Sequence, residues 1–154
     1  MRIGDLGGAT FLAKGAKGKD KVGTPFYFSP EVVEEKPYNH KSDIWSLGCV
    51  LYELCALKHP FLAKNEIELV KKILQGKYES ISRSYSRELA DLIHICLTKD
   101  PEKRPAISDI IRLPHLQKKA NLMKIAIPKE LRVRQDPIEA LLREREDDKP
   151  LIAP

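Results

Sequence analysis

Three short segments of this chain carry the residues that could do chemistry. They are Asp5-Leu6-Gly7, then Gly23-Thr24-Pro25-Phe26-Tyr27-Phe28-Ser29-Pro30-Glu31, and last Asp43-Ile44-Trp45-Ser46-Leu47-Gly48. They supply three carboxylates and the Thr24 hydroxyl, which can hold a cation or form hydrogen bonds. Asp5-Leu6-Gly7 alone is typical of a surface turn. It lies 26 residues before Glu31.

The cysteines and histidines indicate neither a metal site nor redox chemistry. Cys49, Cys55 and Cys96 are odd in number and form no Cys-x-x-Cys pair. Because they stand among apolar residues, we expect reduced thiols that act as small hydrophobic groups. The four histidines are scattered without the spacing of zinc ligands.

A loop and a buried helix are expected to position the three segments. Residues 2–4 read as the end of a short strand, and residues 5–31 predict a loop because they are rich in glycine and lack a helical period. From Lys41 to Leu57, apolar residues point almost all round the helix cylinder, which predicts burial at the domain centre. Gly48 in this helix suggests close approach of another backbone.

Capping residues predict two further helices. Asn65 with Glu68 forms a capping box that opens a helix ending at Gly76. Ser86 is expected to cap the next helix, which carries a one-sided apolar stripe over residues 89–97.

The C-terminal part of the chain changes character. A short helix is expected within 107–113, capped by Ser108 and ended before Pro114. Residues 117–154 are basic and rich in proline, so we expect a flexible tail with one short helix over 137–147. The expected fold class is mainly α.

The bulk composition predicts a globular domain without a nucleic-acid or membrane partner. Apolar residues make up 42% and charged residues 32% of 154 residues. No stretch approaches the roughly 20 apolar residues of a membrane span. The net charge of +5 is spread along the chain without interleaved aromatic residues, which favours a solvated surface over nucleic-acid binding. We expect a cytoplasmic or nuclear protein of unknown oligomeric state.

In order and spacing, the three segments resemble a Ser/Thr protein kinase from its magnesium-binding Asp onward. The likeness is greatest to the NIMA-related (NEK) family, whose members carry stretches similar to residues 23–31 and to residues 36–55. It covers residues 1–116, a partial kinase domain with its activation segment at 5–31. The fold implied is the helical C-terminal lobe of a kinase, with the N-terminal lobe absent.

The resemblance implies roles for the first two segments. Asp5 matches the family's Mg²⁺ ligand, because a held cation neutralises charge on the γ-phosphate during transfer. Gly7 allows the sharp turn beside the metal. Thr24 matches a threonine that bonds the catalytic Asp, and Pro25, Phe26 and Tyr27 continue the loop that binds the substrate peptide.

The resemblance also implies structural roles for three charged residues. Arg104, in Lys99-Asp100-Pro101-Glu102-Lys103-Arg104-Pro105, matches the arginine that forms a buried ion pair with the residue at Glu31. Asp43 matches an acid that accepts hydrogen bonds from backbone N–H groups of the catalytic loop. That loop is not among the 154 residues, so Asp43 needs water, another partner or a proton.

Asp20 departs from the family pattern. Activated NEK kinases commonly have a phosphorylatable Ser or Thr four residues before the threonine of Gly-Thr-Pro. A carboxylate mimics a phosphate only in part, because a phosphate brings nearly two charges and three acceptor oxygens. Weak or no regulation by phosphorylation is expected here, and a solvated loop acid is the alternative.

The activity implied by the resemblance is ATP-dependent phosphoryl transfer to Ser or Thr of protein substrates, with ATP and Mg²⁺ as cofactors. The glycine loop, the strand lysine and the catalytic Asp and Asn are not among the 154 residues, so we expect this chain alone to be inactive. It could instead be a non-catalytic binding module or decoy for substrates or partners. The abrupt start also suggests an incomplete gene prediction, testable by a His-Arg-Asp codon run upstream. Family likeness points to the centrosome, cilium or nucleus.

Overall fold

The computed structural model describes Ala9 and residues 24–132. The strand expected at 2–4, the helix expected over 137–147, and Asp5, Gly7 and Asp20 lie outside these residues. Every regular element of the described part is a helix, which confirms the mainly α fold class.

Within the described residues, six α-helices follow one another along the chain. They are α1 (Pro30–Val33), α2 (Lys41–Ala56), α3 (Glu66–Gln75), α4 (Arg87–Cys96), α5 (Ile107–Ile111) and α6 (Pro114–Leu122). A 3₁₀ turn at Pro25–Tyr27 precedes them, and another at Lys129–Leu131 follows them.

Helix α2 forms the centre of the core. Trp45, Cys49 and Tyr52 are spaced by four and three residues, so they lie on one face, and all three are fully or almost fully buried. The Trp45 ring stacks on Phe61 with ring centroids 5.5 Å apart. This face packs against α4, whose buried residues include Ile93.

Apolar residues almost all round α2 predicted a helix buried at the domain centre, but the described residues bury only part of its surface. Asp43 is exposed, Leu54 is 59% exposed, and Leu57, just after the helix, is 90% exposed. At 100° per residue, all three lie on the side of α2 away from Trp45. Residues 24–132 therefore cover one side of the helix and leave the other open.

Gly48 marks the closest contact between α2 and α4. A Cβ added at Gly48 would lie 2.8 Å from Cys96 Cβ and 3.0 Å from Leu97 Cδ2. The expected close approach is present, but side chains of the neighbouring helix make it, rather than backbone. A larger residue at 48 would force the two helices apart.

Side-chain caps begin α3 and α4 as predicted. Asn65 Oδ1 accepts from the Glu68 N–H at 2.9 Å, and Gly76 ends α3 with a left-handed φ of 67°. The Glu68 carboxylate reaches one residue further than in a standard capping box and accepts from Lys64 N. Ser86 Oγ accepts from Leu89 N at 3.3 Å.

Near the C-terminal end the structure corrects the expected cap and adds a helix that was not predicted. Ser108 does not cap α5; Asp109 does, because its Oδ2 accepts from Ala106 N at 2.9 Å. Pro114 starts another helix, α6, which runs across the predicted tail boundary at 116/117. Gln117 on α6 is buried and donates to Ile111 O at 2.7 Å. The tail remains a prediction for residues 133–154.

The three cysteines are free, and two of them lie deep in the core. Burial raises the pKa of Cys49 and of Cys96 to about 12, so both thiols stay protonated at neutral pH. Among the described residues, no His, Cys, Asp and Glu side chains form a metal-binding group, and no helix is long and apolar enough to cross a membrane.

Candidate functional site

The central feature of the site is the expected ion pair between Glu31 and Arg104. Arg104 Nη1 lies 2.8 Å from Glu31 Oε1, and Arg104 Nη2 lies 3.0 Å from Glu31 Oε2. Both side chains are buried, Arg104 completely. Two parallel hydrogen bonds between a guanidinium and a carboxylate fix orientation as well as distance.

Arg104 has a partner for each of its N–H donors. Besides the two bonds to Glu31, Nε donates to Thr98 O at 2.9 Å, Nη1 to Lys41 O at 2.8 Å and Nη2 to Lys99 O at 3.1 Å. A guanidinium has five such donors, so none is left unmatched. The Trp45 ring lies 5.1 Å from its central carbon. Arg104 thus joins α1, the start of α2 and the loop before residue 104.

Two serines extend this network around Glu31. Ser42 Oγ donates to Glu31 Oε1 at 2.6 Å, and Ser29 Oγ donates to Ser42 Oγ at 3.1 Å. Burial alone raises the pKa of Glu31, but hydrogen bonds from Arg104 and Ser42 and the charge of Arg104 outweigh it and lower the pKa below its usual range. Glu31 is therefore ionised at neutral pH.

The loop at 24–28 is held to α2 by hydrogen bonds at both ends of Tyr27. Its hydroxyl donates to Glu53 Oε2 at 2.8 Å, and its carbonyl accepts from Ser46 Oγ at 3.0 Å. The hydrogen bond to Glu53 and burial raise the pKa of Tyr27. Thr24 is exposed, and its side chain makes no cap bond to the turn.

An aromatic stack supports the next residue of this loop. The rings of Phe26 and His59 are parallel within 6°, with centroids 4.6 Å apart, and Tyr27 meets the His59 ring edge-on at 5.4 Å. His59 Nδ1 lies 3.3 Å from Glu53 Oε2 but is not aligned for a hydrogen bond. These contacts fix the direction in which Phe26 points.

Two pockets flank this stack. The smaller, about 240 Å³, lies between the loop and the start of α3 and is lined by Pro25, Phe26, Ala63, Lys64, Asn65, Glu66 and Leu69. The larger, about 590 Å³, lies beside His59 and is lined in part by Tyr52, Lys58, Lys72 and Tyr78. The smaller pocket contains two of the four predicted substrate-binding residues.

Asp43 does not join this cluster. Its carboxylate sits on the exposed side of α2, and no hydrogen bond to it forms within residues 24–132. Partial burial raises its pKa, while the nearby His40 acts in the opposite direction. The structure therefore brings Glu31, Arg104 and Tyr27 together around α2, and leaves Asp43 on another side.

Sequence reasoning gave no role to Ser42, Ser46, Glu53 or His59. Ser42 and Ser46 are one helical turn apart on α2, so two hydroxyls on a partly buried side could have signalled partners nearby. Glu53 contacts a residue 26 positions away, a distance over which no local pattern operates.

Comparison with known proteins identifies relatives of this chain. The family model described as "Protein kinase domain" matches residues 1–116. The chain is 48% identical over 117 residues to serine/threonine-protein kinase Nek5 of Homo sapiens, covering 75% of this chain and 16% of that protein. It is 51% identical over 111 residues to serine/threonine-protein kinase Nek8 of Danio rerio, covering 72% and 16%.

A third relative gives a similar match. The chain is 49% identical over 118 residues to the probable serine/threonine-protein kinase nek3 of Dictyostelium discoideum, covering 75% of this chain and 10% of that protein. The chain thus spans less than a fifth of the length of each of these three relatives.

Proposed function

The chain belongs to the protein kinase family, among the NIMA-related serine/threonine kinases, and from this we propose that it forms the substrate-binding part of an enzyme that transfers phosphate from ATP to Ser and Thr side chains of proteins. The observation that carries this proposal is the Glu31–Arg104 ion pair, which holds the substrate loop on the core of the lobe.

The loop is suited to binding an extended peptide. Pro25 and Phe26 line the smaller pocket, while the hydrogen bond from Tyr27 to Glu53 fixes the loop to α2. A loop fixed before the peptide arrives loses little entropy on binding. Thr24 is exposed next to this wall, where the resemblance puts the group that contacts the catalytic Asp.

Kinases of this family use ATP and Mg²⁺. In this chain Asp5 would hold the cation, which neutralises charge that develops on the γ-phosphate. We propose that the 154 residues alone do not transfer phosphate, because they include no lysine motif for the α- and β-phosphates, no catalytic Asp and no second metal ligand from a catalytic loop. Phosphoryl transfer depends mainly on positioning and electrostatics, so losing these groups removes nearly all catalysis.

A chimera tests the activity. Residues 1–116 would be joined behind the N-terminal half of the kinase domain of human Nek5, and phosphate transfer from labelled MgATP to peptides with a Ser, Thr or Tyr acceptor would be measured. We expect transfer to Ser and Thr only, and none from the 154-residue chain. Asp5→Asn in the chimera should abolish transfer without changing its far-UV circular dichroism. Transfer by the 154-residue chain, or a chimera active only on Tyr, would contradict the proposal.

A non-catalytic binding module is the second candidate, and the smaller pocket favours it. Its lining within the described chain comes from the loop at 24–28 and from residues 63–69. Fluorescence anisotropy of a labelled peptide mixture with the 154-residue chain, in the absence of nucleotide, would measure this binding. Phe26→Ala should weaken it and Ile67→Ala, an exposed position on α3, should not. Equal binding by both variants would remove this candidate.

A further inference from the structure

A run of six exposed residues spans the end of helix α6. Residues 121–126 are all exposed, and three of them are large and apolar: Leu122 is 72%, Met123 60% and Ile125 55% exposed. Single exposed apolar residues are ordinary on a protein surface, but three within four positions form a patch that calls for an explanation.

This run is the tip of a projecting loop. At Lys124 the chain reverses with a left-handed φ of 53°, and Ile125 N donates to Ala120 O at 2.9 Å. The two arms of the loop are tied together at its base, where Gln117 Nε2 donates to Leu131 O at 3.2 Å and Arg112 Nη2 donates to Glu130 O at 3.1 Å. The exposed apolar side chains therefore stand on a loop whose base is anchored by two hydrogen bonds.

Positive charge surrounds the tip. Residues 113–132 contain five cationic side chains and one acidic side chain, that of Glu130. The cations are Lys118, Lys119, Lys124, Lys129 and Arg132. Lys118 and Lys119 stand one helical turn before Leu122 and Met123, so charge and apolar surface share the same sides of α6. No salt bridge within residues 24–132 neutralises any of the five cations.

We propose that residues 118–126 bind the surface of an anionic lipid membrane. The apolar tip enters the interface while the lysines contact the anionic headgroups, a combination typical of peripheral membrane segments. The sequence predicted no membrane partner, but that expectation rested partly on the lack of a spanning stretch, and peripheral binding needs none. The inference is independent of the kinase activity.

Vesicle sedimentation tests this proposal. The 154-residue chain would be mixed with phosphatidylcholine vesicles that contain phosphatidylserine, and with vesicles of phosphatidylcholine alone. We expect binding to the anionic vesicles only. The double change Met123→Glu and Ile125→Glu should lower the partition coefficient about tenfold or more, since it removes apolar area and repels the lipid charge. Lys118→Ala with Lys119→Ala should lower it by a similar factor of about ten.

Ile67→Glu is the matched control. Ile67 is 84% exposed on α3, but its neighbours Glu66 and Glu68 are acidic, so this change should leave vesicle binding within about twofold of the original chain. Circular dichroism of each variant checks that the helices are intact. The substituted residues on α3 and at 118–125 are all exposed, so none of the three variants should be impaired in folding.

Three results would overturn the proposal. One is a lack of binding to the anionic vesicles. Another is anionic binding that survives the double glutamate change, because the contact would then be electrostatic only and spread over the chain. The third is binding of soluble polyglutamate at least as tight as that of the vesicles, which would assign the surface to an acidic protein partner.

Discussion

Arg104 and Glu31, 73 residues apart in the chain, form a bidentate ion pair in which the arginine is fully buried. The Glu31 carboxylate accepts hydrogen bonds from both terminal nitrogens of the guanidinium. Three backbone carbonyls accept the remaining N–H groups of Arg104. This contact links α1 to the start of α2 and to the loop before residue 104. It makes the most direct prediction about stability.

Arg104→Ala should destabilise the chain by about 3–5 kcal/mol, because Glu31 stays buried with an unmatched charge. Urea unfolding followed by circular dichroism would measure the loss. Arg83→Ala is the control: Arg83 is exposed, and its loss should change stability by about 0.5 kcal/mol or less. A loss below about 1 kcal/mol for Arg104→Ala would show that the pair contributes little to folding.

Acid should remove the contribution of Glu31. Its pKa in the folded chain lies below its ordinary value of 4.5, so the folded state favours the ionised carboxylate. The resulting stability is fully present above pH 4.5 and is lost as the pH falls through the lowered pKa.

Urea midpoints of the original chain and of Glu31→Gln, measured from neutral pH downward, would test this. We expect the difference between the two to shrink below pH 4.5. A difference that stays constant over this range would mean that Glu31 does not titrate with folding.

Gly48→Ala should destabilise the chain although alanine is the better helix former. The added methyl group would lie 2.8 Å from Cys96 Cβ and 3.0 Å from Leu97 Cγ, so α2 and α4 must separate. Overpacking of this kind costs about 1–3 kcal/mol, against a gain of about 1 kcal/mol from helix propensity. Thermal unfolding would give the net effect, with exposed Lys71→Ala as control. A rise in midpoint temperature for Gly48→Ala would show that the helices yield without strain.

The folded domain should extend beyond residue 116. Cutting the chain there divides α6 and removes Gln117, whose amide bonds to Ile111 O and Leu131 O. A chain of residues 1–132 should keep the stability of the 154-residue chain. A chain of residues 1–116 should lose about 1–3 kcal/mol, since the partly buried Ile111 carbonyl loses its partner. Equal urea midpoints for the two shortened chains would place the boundary at 116 instead.

The sequence predicted the elements with strong local signals. Asn65 and Ser86 begin their helices because their side chains accept from the N–H three residues later, a bond decided within one turn. Helix α6 was not predicted, since its apolar residues are few and its buried residue is the polar Gln117. Its position depends on hydrogen bonds from Gln117 to the carbonyls of Ile111 and Leu131, which a hydrophobic pattern does not reveal.

The site was predictable only where a family pattern supplied long-range information. The Glu31–Arg104 pair was expected from the order of motifs, because no local rule links residues so far apart. The contacts of Glu53 and His59 with the loop at 24–28 were missed for the same reason. Burial of α2 was overestimated, because apolar composition shows which sides can be covered but not which are covered within residues 24–132.

The parallel rings of Phe26 and His59 give the two pockets a common wall. Phe26 borders the smaller space and His59 the larger one, with 4.6 Å between the ring centres. Because the rings are stacked, neither can rotate without moving the other or losing this contact. A ligand that turned Phe26 in the smaller pocket would therefore disturb His59 at the edge of the larger one.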